Sequence, residues 1–201
     1  MRPIPWWALA SAGAAPVLLV GGWTLADALQ PPGYDPVRDT ISALAALGAT
    51  DRWVMTSALA GLGACHVVTA LGLRPARLRG RVVFGVGGVA TVMVAAFPQP
   101  AHGNSLSHTV AATVAFVALG AWPALAARRS PSPLLSRPVS LAASGVLLGL
   151  VAWFAAELHG GQRGLAERAA AGAQALWPLA VVVTTRRVRV RISSTGTASN
   201  R

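Results

Sequence analysis

Charged residues are scarce in this sequence, and lysine is absent. Only 11% of its 201 residues are charged, compared with about 25% in an ordinary soluble domain, whereas 54% are hydrophobic. This balance excludes an ordinary soluble domain and predicts an integral membrane protein. The single cysteine, Cys65, excludes an intrachain disulfide and a cysteine-based zinc site.

Signatures of several common enzyme classes are also missing. The sequence contains no Ser/His/Asp signature, no phosphate-binding glycine loop and no dinucleotide fingerprint. The basic residues are all arginine, and they form short clusters without interleaved aromatic residues. This arrangement argues against a nucleic-acid partner despite the net charge of +11. It favours contacts with anionic membrane lipids.

Apolar runs divide the chain into six segments, at residues 8–29, 53–73, 82–97, 106–127, 139–158 and 165–185. Their lengths are close to the roughly 20 residues that an α-helix needs to cross the hydrocarbon of a bilayer. The sequence therefore predicts an all-α, polytopic integral membrane protein, a six-transmembrane-helix bundle. We expect one domain over residues 1–187 and a disordered tail over residues 188–201.

Arginines and acidic residues lie at opposite ends of these predicted helices. Thirteen of the seventeen arginines are at the termini or in the loops at residues 74–81 and 128–137. The positive-inside rule therefore predicts a cell-membrane protein with both termini cytoplasmic. The six acids fall at the extracytoplasmic ends: Asp27, Asp35, Asp39, Asp51, Glu157 and Glu167. They either avoid a cytoplasmic surface that faces anionic lipid, or share a site.

Residues 34–42, Tyr-Asp-Pro-Val-Arg-Asp-Thr-Ile-Ser, crowd polar groups between the first two apolar runs. We call them the lid segment. The Asp-Pro pair is a typical helix start and Gly48 a typical stop, which predicts a short interfacial helix over residues 36–47. Its polar side would carry Arg38, Asp39 and Ser42. The segment is either a lid over a polar site or an amphipathic connector in which Asp35 and Arg38 pair.

Titratable groups at membrane depth are costly unless they are paired, so each is a candidate functional residue. Glu167 and Gln174 lie two helical turns apart on one face of the sixth run. The structural alternative for both is hydrogen bonding between helices. Glu157 ends the fifth run, where it could pair with Arg163 or Arg168.

Histidines offer a second set of candidates. His102, His108 and His159 are assigned to the extracytoplasmic side, where they could bind zinc together with Asp39 or Glu157. Their spacing matches no zinc motif, which favours interfacial histidines and leaves the cofactor unassigned. His108 would lie in the first turn of the fourth run, after a cap at Asn104 or Ser105. His66, in the middle of the second run, is either a buried neutral histidine or a proton relay.

Several segments resemble the bacterial membrane family catalogued as domain of unknown function 998 (DUF998). The resemblance rests on residues 34–42, 52–56 (Arg-Trp-Val-Met-Thr), 63–66 (Gly-Ala-Cys-His), 95–98 (Ala-Ala-Phe-Pro), 105–109 (Ser-Leu-Ser-His-Thr) and 165–178. It covers about residues 8–187. It implies a six-helix membrane protein and supplies neither an activity nor catalytic residues.

Three functions fit these observations. The first is binding of a lipid or isoprenoid-like ligand in a pocket that opens on the extracytoplasmic side. Its candidate lining residues are Asp35, Arg38, Asp39, Ser42, His108, Glu157, Glu167 and Gln174. The second is an intramembrane enzyme that acts on such a ligand. It would be either a hydrolase with a histidine-bound metal or an isoprenoid cyclase in which Asp39 or Glu167 donates a proton. His108 is the third candidate catalytic residue. The third is a proton-coupled transporter with His66 as its relay. The oligomeric state is not predicted.

Overall fold

The computed structural model describes residues 3–101, 103–128 and 132–198. In these ranges the chain is all-α, without strands, and one 3₁₀ turn occurs at Pro133–Leu135. The helices are α1 (Trp6–Ala28), α2 (Ile41–Leu44), α3 (Trp53–Gly72), α4 (Leu78–Ala96), α5 (Leu106–Ala126), α6 (Arg137–Ala156) and α7 (Arg163–Ala198). The metal candidate His102 lies outside the described residues.

Five helices, α1 and α3–α6, are long and apolar enough to cross a membrane. This confirms the predicted class of all-α membrane protein. α7 is not among the five, because Glu167, Arg168 and Gln174 in its first half reduce its hydropathy. It continues as a helix to Ala198, through most of the segment for which the sequence predicts disorder.

The six long helices form a ring in which neighbours in the chain are neighbours in space. α1 packs against α3, α3 against α4, α4 against α5, α5 against α6 and α6 against α7, while α7 closes the ring against α1. α2 lies at the end of the ring where α5 and α7 begin and α4 ends; we call this the α2 end. Loops meet there through the amide of Leu47, which donates to the carbonyl oxygen of Gln99 at 2.9 Å.

The helix expected over residues 36–47 is much shorter in the structure, where α2 has four residues. Thr40 begins it, since its Oγ1 accepts a hydrogen bond from the amide of Ala43 at 3.1 Å. Before Thr40 the carbonyl groups of Pro36, Arg38 and Asp39 bind arginines of α7 instead of amides four residues ahead. The sequence pattern suggested a helix, but tertiary contacts hold residues 35–39 in turns.

Glycines allow a close backbone contact between α3 and α4. A methyl group at Gly63 would lie 2.5 Å from the carbonyl oxygen of Gly88 and 2.8 Å from the amide nitrogen of Val92. Only a residue without Cβ allows the backbones to approach this closely. Gly87 and Gly88 in the glycine-rich stretch at residues 85–88 therefore serve helix packing.

Replacing Gly63 with alanine should destabilise the bundle, because the clashing atoms belong to the backbone of α4 and cannot rotate away. Overpacking of this kind typically costs about 1–3 kcal/mol. Unfolding by a denaturing detergent, followed by circular dichroism, measures the difference. Gly145→Ala on α6 is the control, because a Cβ there meets nothing within 4 Å, and alanine is the better helix former. Equal stability of the two variants would contradict this account of the α3–α4 contact.

Candidate functional site at the α2 end

The carboxyl group of Glu167 is the centre of the site. It lies in the second turn of α7 and is only 4% exposed. One oxygen, Oε2, accepts a hydrogen bond from the backbone amide of Ile41. The other, Oε1, accepts one from the hydroxyl of Ser42 at 3.0 Å. A buried carboxyl needs such donors, so Glu167 holds the start of α2 against α7.

His108 reaches the same serine from the other side. The hydroxyl of Ser105 caps α5 by accepting from the amide of His108 at 3.3 Å, as the sequence predicted, and this places the imidazole in the first helical turn. Its Nδ1 lies 2.9 Å from the carbonyl oxygen of Phe97, and its Nε2 lies 3.3 Å from Oγ of Ser42. Glu167, Ser42 and His108 therefore form one continuous hydrogen-bonded chain.

The three hydrogen bonds of this chain together need one more hydrogen than a neutral His108, Ser42 and an ionised Glu167 supply. The carbonyl oxygen of Phe97 can only accept, so Nδ1 of His108 carries a hydrogen and Nε2 of a neutral ring is an acceptor. Ser42 has one hydroxyl hydrogen and cannot donate it to both Nε2 and a carboxylate. One extra proton, on either His108 or Glu167, supplies the missing donor. The chain can thus pass a proton from the carboxyl to the imidazole in two linked hops, in which Glu167 gives its hydrogen to Oγ of Ser42 and Oγ gives its own hydrogen to Nε2 of His108.

A cavity of about 50 Å³ adjoins this chain at the centre of the ring. That volume holds only about three to five water molecules, at about 10–15 Å³ for each. Its polar lining comes from Ser42, His66, Thr91, Glu167 and Gln174. The rest is apolar, with Leu19, Leu59, Leu62, Val94, Phe116 and Leu119 among the lining residues.

The first turns of α7 clamp the lid segment over this cavity. Nη1 of Arg168 donates to the carbonyl oxygens of Pro36 and Asp39, both at 2.8 Å, and Nη2 donates to the hydroxyl of Tyr34 at 2.6 Å. The amide of Leu165 adds a bond of 3.0 Å to the carbonyl oxygen of Val37. Since these acceptors are mostly backbone groups, the clamp holds the shape of the segment.

The carboxyl groups of the lid segment face away from the cavity. Asp39 accepts from the amide of Asp35 at 3.0 Å and pairs with Arg163 at 3.5 Å. Asp35 pairs with Arg38 at 2.9 Å, which is the contact that the connector interpretation predicts. The amide of Val37 donates to Asp35 and thereby lowers the pKa of that carboxyl. None of these side chains lines the cavity, so the structure does not bring Asp35, Arg38 and Asp39 to the same place as Glu167.

Of the other predicted site residues, some line the cavity and some do not. Gln174 lines the cavity, below Glu167 on α7. Glu157 instead accepts from the amide of Gln162 at 3.1 Å in the turn after α6, and His159 is exposed. Within the described ranges no three His, Cys, Asp or Glu residues are grouped to hold a metal ion. The structure therefore brings together Ser42, His108, Glu167 and Gln174.

Two contributors were missed at the sequence level. Thr91 lines the cavity from α4, where a lone threonine in an apolar run gives no signal of its role. Arg168 was interpreted as a partner for Glu157, but it clamps the lid segment. The available signal was its position directly after Glu167. When one side chain at the start of a helix binds a loop, the neighbouring side chain is close enough to bind the same loop.

Comparison with known proteins identifies a family but no function. A family model described as "Protein of unknown function (DUF998)" matches residues 12–184. The match spans the lid segment and every residue of the Glu167–Ser42–His108 chain, and it agrees with the resemblance found in the sequence. Neither a curated protein nor a solved structure matches this chain.

Replacing Gly164 with alanine should release the lid segment from α7. A Cβ at this position would collide with the carbonyl oxygens of Asp39 and Pro36, the acceptors that Arg168 also uses. Hydrogen–deuterium exchange of residues 34–42 should increase several-fold. Gly161→Ala, three residues earlier, meets nothing within 4 Å and should leave the exchange unchanged. The clamp would be refuted by equal exchange in the two variants.

Tyr34 is the only tyrosine of the chain, so its ionisation can be followed by ultraviolet absorbance. Burial raises its pKa above the ordinary 10.0, and the hydrogen bond from Arg168 partly offsets this rise. The folded protein should therefore form tyrosinate at higher pH than the unfolded protein. Because the folded-state pKa is the higher one, stability should fall as pH rises from 10.0 through that pKa.

Arg168→Gln should raise the pKa of Tyr34 further, because it removes the nearby positive charge. Arg38→Gln is the matched control, since the guanidinium of Arg38 binds Asp35 and its carbonyl oxygen binds Arg163. A titration curve for folded wild type that coincides with the unfolded curve would contradict the burial of this hydroxyl.

Proposed function

Because this chain belongs to the DUF998 family of proteins of unknown function, we propose its function from its own geometry. We propose that it is an intramembrane acid that binds an unsaturated lipid or isoprenoid and protonates it. The observation that carries this proposal is the position of Ser42 Oγ, 3.0 Å from Glu167 and 3.3 Å from His108, on the wall of a mainly apolar cavity.

A site that only binds an apolar ligand does not need these groups. Burying a carboxyl inside an apolar bundle is costly, and an apolar side chain at position 167 would line such a cavity at lower cost. A proton shared between two titratable groups, in contrast, is what general acid catalysis requires. Acid–base chemistry therefore accounts for Glu167 and His108 better than ligand binding alone.

Proton donation also accounts for the site better than attack by Ser42 as a nucleophile. Acyl transfer needs backbone or side-chain donors that stabilise a developing oxyanion. At the start of α2 the amide of Ile41 is bound to Glu167 and the amide of Ala43 to Thr40. The amide of Ser42 is likewise directed at Glu167, so these three amides are not available for an oxyanion, which disfavours the hydrolase alternative.

The apolar part of the lining suits an alkene. Protonation would break the bond between the extra proton and its donor, form a C–H bond from the π electrons of the double bond and leave a carbocation. The carbocation then returns a proton to the base that remains on the Glu167–Ser42–His108 chain, which restores both the alkene and the acid. The ring of Phe116 lines the cavity, and an aromatic face stabilises a nearby cation. The cavity admits only the end of a chain, so we infer that the lid segment moves when ligand enters.

We further propose that α7 provides a sixth crossing. Its residues 169–185 contain no charged side chain and extend over about 25 Å at 1.5 Å per residue. Gln174, its polar residue at that depth, is 1% exposed and bonds to the carbonyl oxygen of Phe116 at 2.9 Å, so it does not face lipid. With six crossings, the arginine-rich end and both termini are cytoplasmic, and the α2 end with its interfacial segment faces outward.

Binding of a lipid without chemistry is the second candidate function. An apolar groove of about 800 Å³ runs along the outside of α4 and α5, with Val86, Val89, Met93, Val110 and Val114 among its lining residues. Its upper end includes Phe97, whose carbonyl oxygen lies against His108. A transporter is supported less well, because Phe84 and Trp122 stack directly beyond His66, at 4.7 Å between ring centres.

Deuterium transfer from solvent tests the proposed acid. Protein in nanodiscs is incubated in D₂O with geranylgeraniol, and separately with a lipid extract of the expression host, and the lipids are analysed by mass spectrometry. Wild type should introduce carbon-bound deuterium. Glu167→Gln and His108→Gln should lower the rate by about 10²-fold or more, the usual contribution of a positioned acid.

Glu157→Gln is the matched control, because it removes a carboxyl at the same end of the bundle that does not line the cavity. It should retain the wild-type rate. Lipid that stays bound through purification and gains no deuterium in wild type would contradict the acid and favour the binding function. Equal rates in all four proteins would contradict the assigned residues.

A further inference from the structure

The deep end of the cavity is polar although it lies far from the lid segment. Gln174 is two helical turns below Glu167, and Thr91 and His66 reach the same cavity from α4 and α3. All three residues are at most 5% exposed. Three polar side chains from three different helices thus face one enclosed space in an otherwise apolar part of the ring.

Each of these side chains retains hydrogen-bonding capacity after its contacts with protein are counted. Thr91 donates its hydroxyl hydrogen to the carbonyl oxygen of Gly87 at 2.9 Å, which leaves its oxygen free to accept. Gln174 donates from Nε2 to Phe116, and its carbonyl oxygen can accept. Protein groups alone therefore leave acceptors facing the cavity.

His66 is the strongest indication of a missing partner. It is 1% exposed, and among the described residues neither Nδ1 nor Nε2 has a hydrogen-bond partner. A neutral imidazole has one donor and one acceptor, and each buried polar group left without a partner typically costs about 1–3 kcal/mol. Because His66 lines the cavity, the cavity is where a partner can sit.

We propose that the cavity binds a short chain of ordered water molecules that connects Glu167 and Ser42 with His66 and carries protons between them. Its volume of about 50 Å³ suits about three to five waters, and polar lining groups occur at both ends. The water chain would give His66 its missing partners. This inference does not depend on the proposed acid chemistry, since it concerns hydration and not a reaction.

The chain of waters ends at His66. The ring of His66 packs against Phe84 at 5.3 Å, and Phe84 stacks on Trp122, which is fully buried. These two aromatic rings separate the cavity from the arginine-rich end. The titratable groups in contact with the water chain are Glu167 and His66, with His108 connected through Ser42. Protons therefore reach His66 from the α2 end.

Water-to-protein polarisation transfer in solid-state NMR tests this site in the full-length protein. The protein is reconstituted in bilayers with nitrogen-15 in its histidine and tryptophan rings, and His66→Gln and Trp122→Phe assign the two signals. Trp122 is the dry reference, because its indole nitrogen is buried, has no partner in the described chain and lies outside the cavity lining. Transfer to His66 should be several-fold faster than transfer to Trp122.

A variant tests whether the polar lining holds the water. Thr91→Val with Gln174→Leu removes two of the polar groups, and transfer to His66 should slow several-fold. Thr113→Val on the exposed face of α5 is the control and should change nothing. If polarisation transfer to His66 in the wild-type protein is no faster than transfer to Trp122, the proposal is overturned, whatever the variants show. It would leave the deuterium-transfer test of Glu167 and His108 unaffected.

Discussion

A carboxyl group without access to water must receive hydrogen bonds, and this requirement at Glu167 shapes the α2 end of the molecule. The amide of Ile41 and the hydroxyl of Ser42 meet it, so the chain entering α2 has to lie against the first turns of α7. Helix packing alone would not fix this position, because α2 is only four residues long. The buried carboxyl thus converts a short connection into a structured part of the site.

The surroundings of that contact follow from the same constraint. Gly164 lacks a side chain where α7 approaches the carbonyl oxygens of the lid segment, and Arg168 reaches over them from the next turn. Ser42 can bond to Glu167 and His108 together only because α5 begins at the same level, with its Ser105 cap. A polar chain, a closed lid segment and a small cavity are therefore parts of one arrangement.

This arrangement unites features that are usually interpreted separately. The Glu167–Ser42–His108 chain at the α2 end, a cavity of water size and a histidine without a described partner at its deep end all line one path through the ring. Phe84 and Trp122 close that path before it reaches the arginine-rich end. The geometry is thus suited to chemistry that is supplied with protons from one side only, which is why we favour an intramembrane acid over a transporter.

Much of the fold could be predicted because the bilayer imposes a length and a hydropathy on each crossing, and the apolar runs of this chain match five of the long helices closely. The shared face of Glu167 and Gln174 was also predictable, since helical periodicity is a local property. The prediction of a helix over residues 36–47 was wrong at its start. Backbone groups of this segment bind side chains of α7, more than a hundred residues away in the sequence. The local sequence also could not show that Ser42, and not Asp39, is the residue of the lid segment that binds Glu167 and lines the cavity. Periodicity and hydropathy thus specify which helices form and which of their faces are polar. The groups that form the Glu167–Ser42–His108 chain are specified by the tertiary structure, because a hydrogen bond depends on distances of about 3 Å that only the packed ring defines.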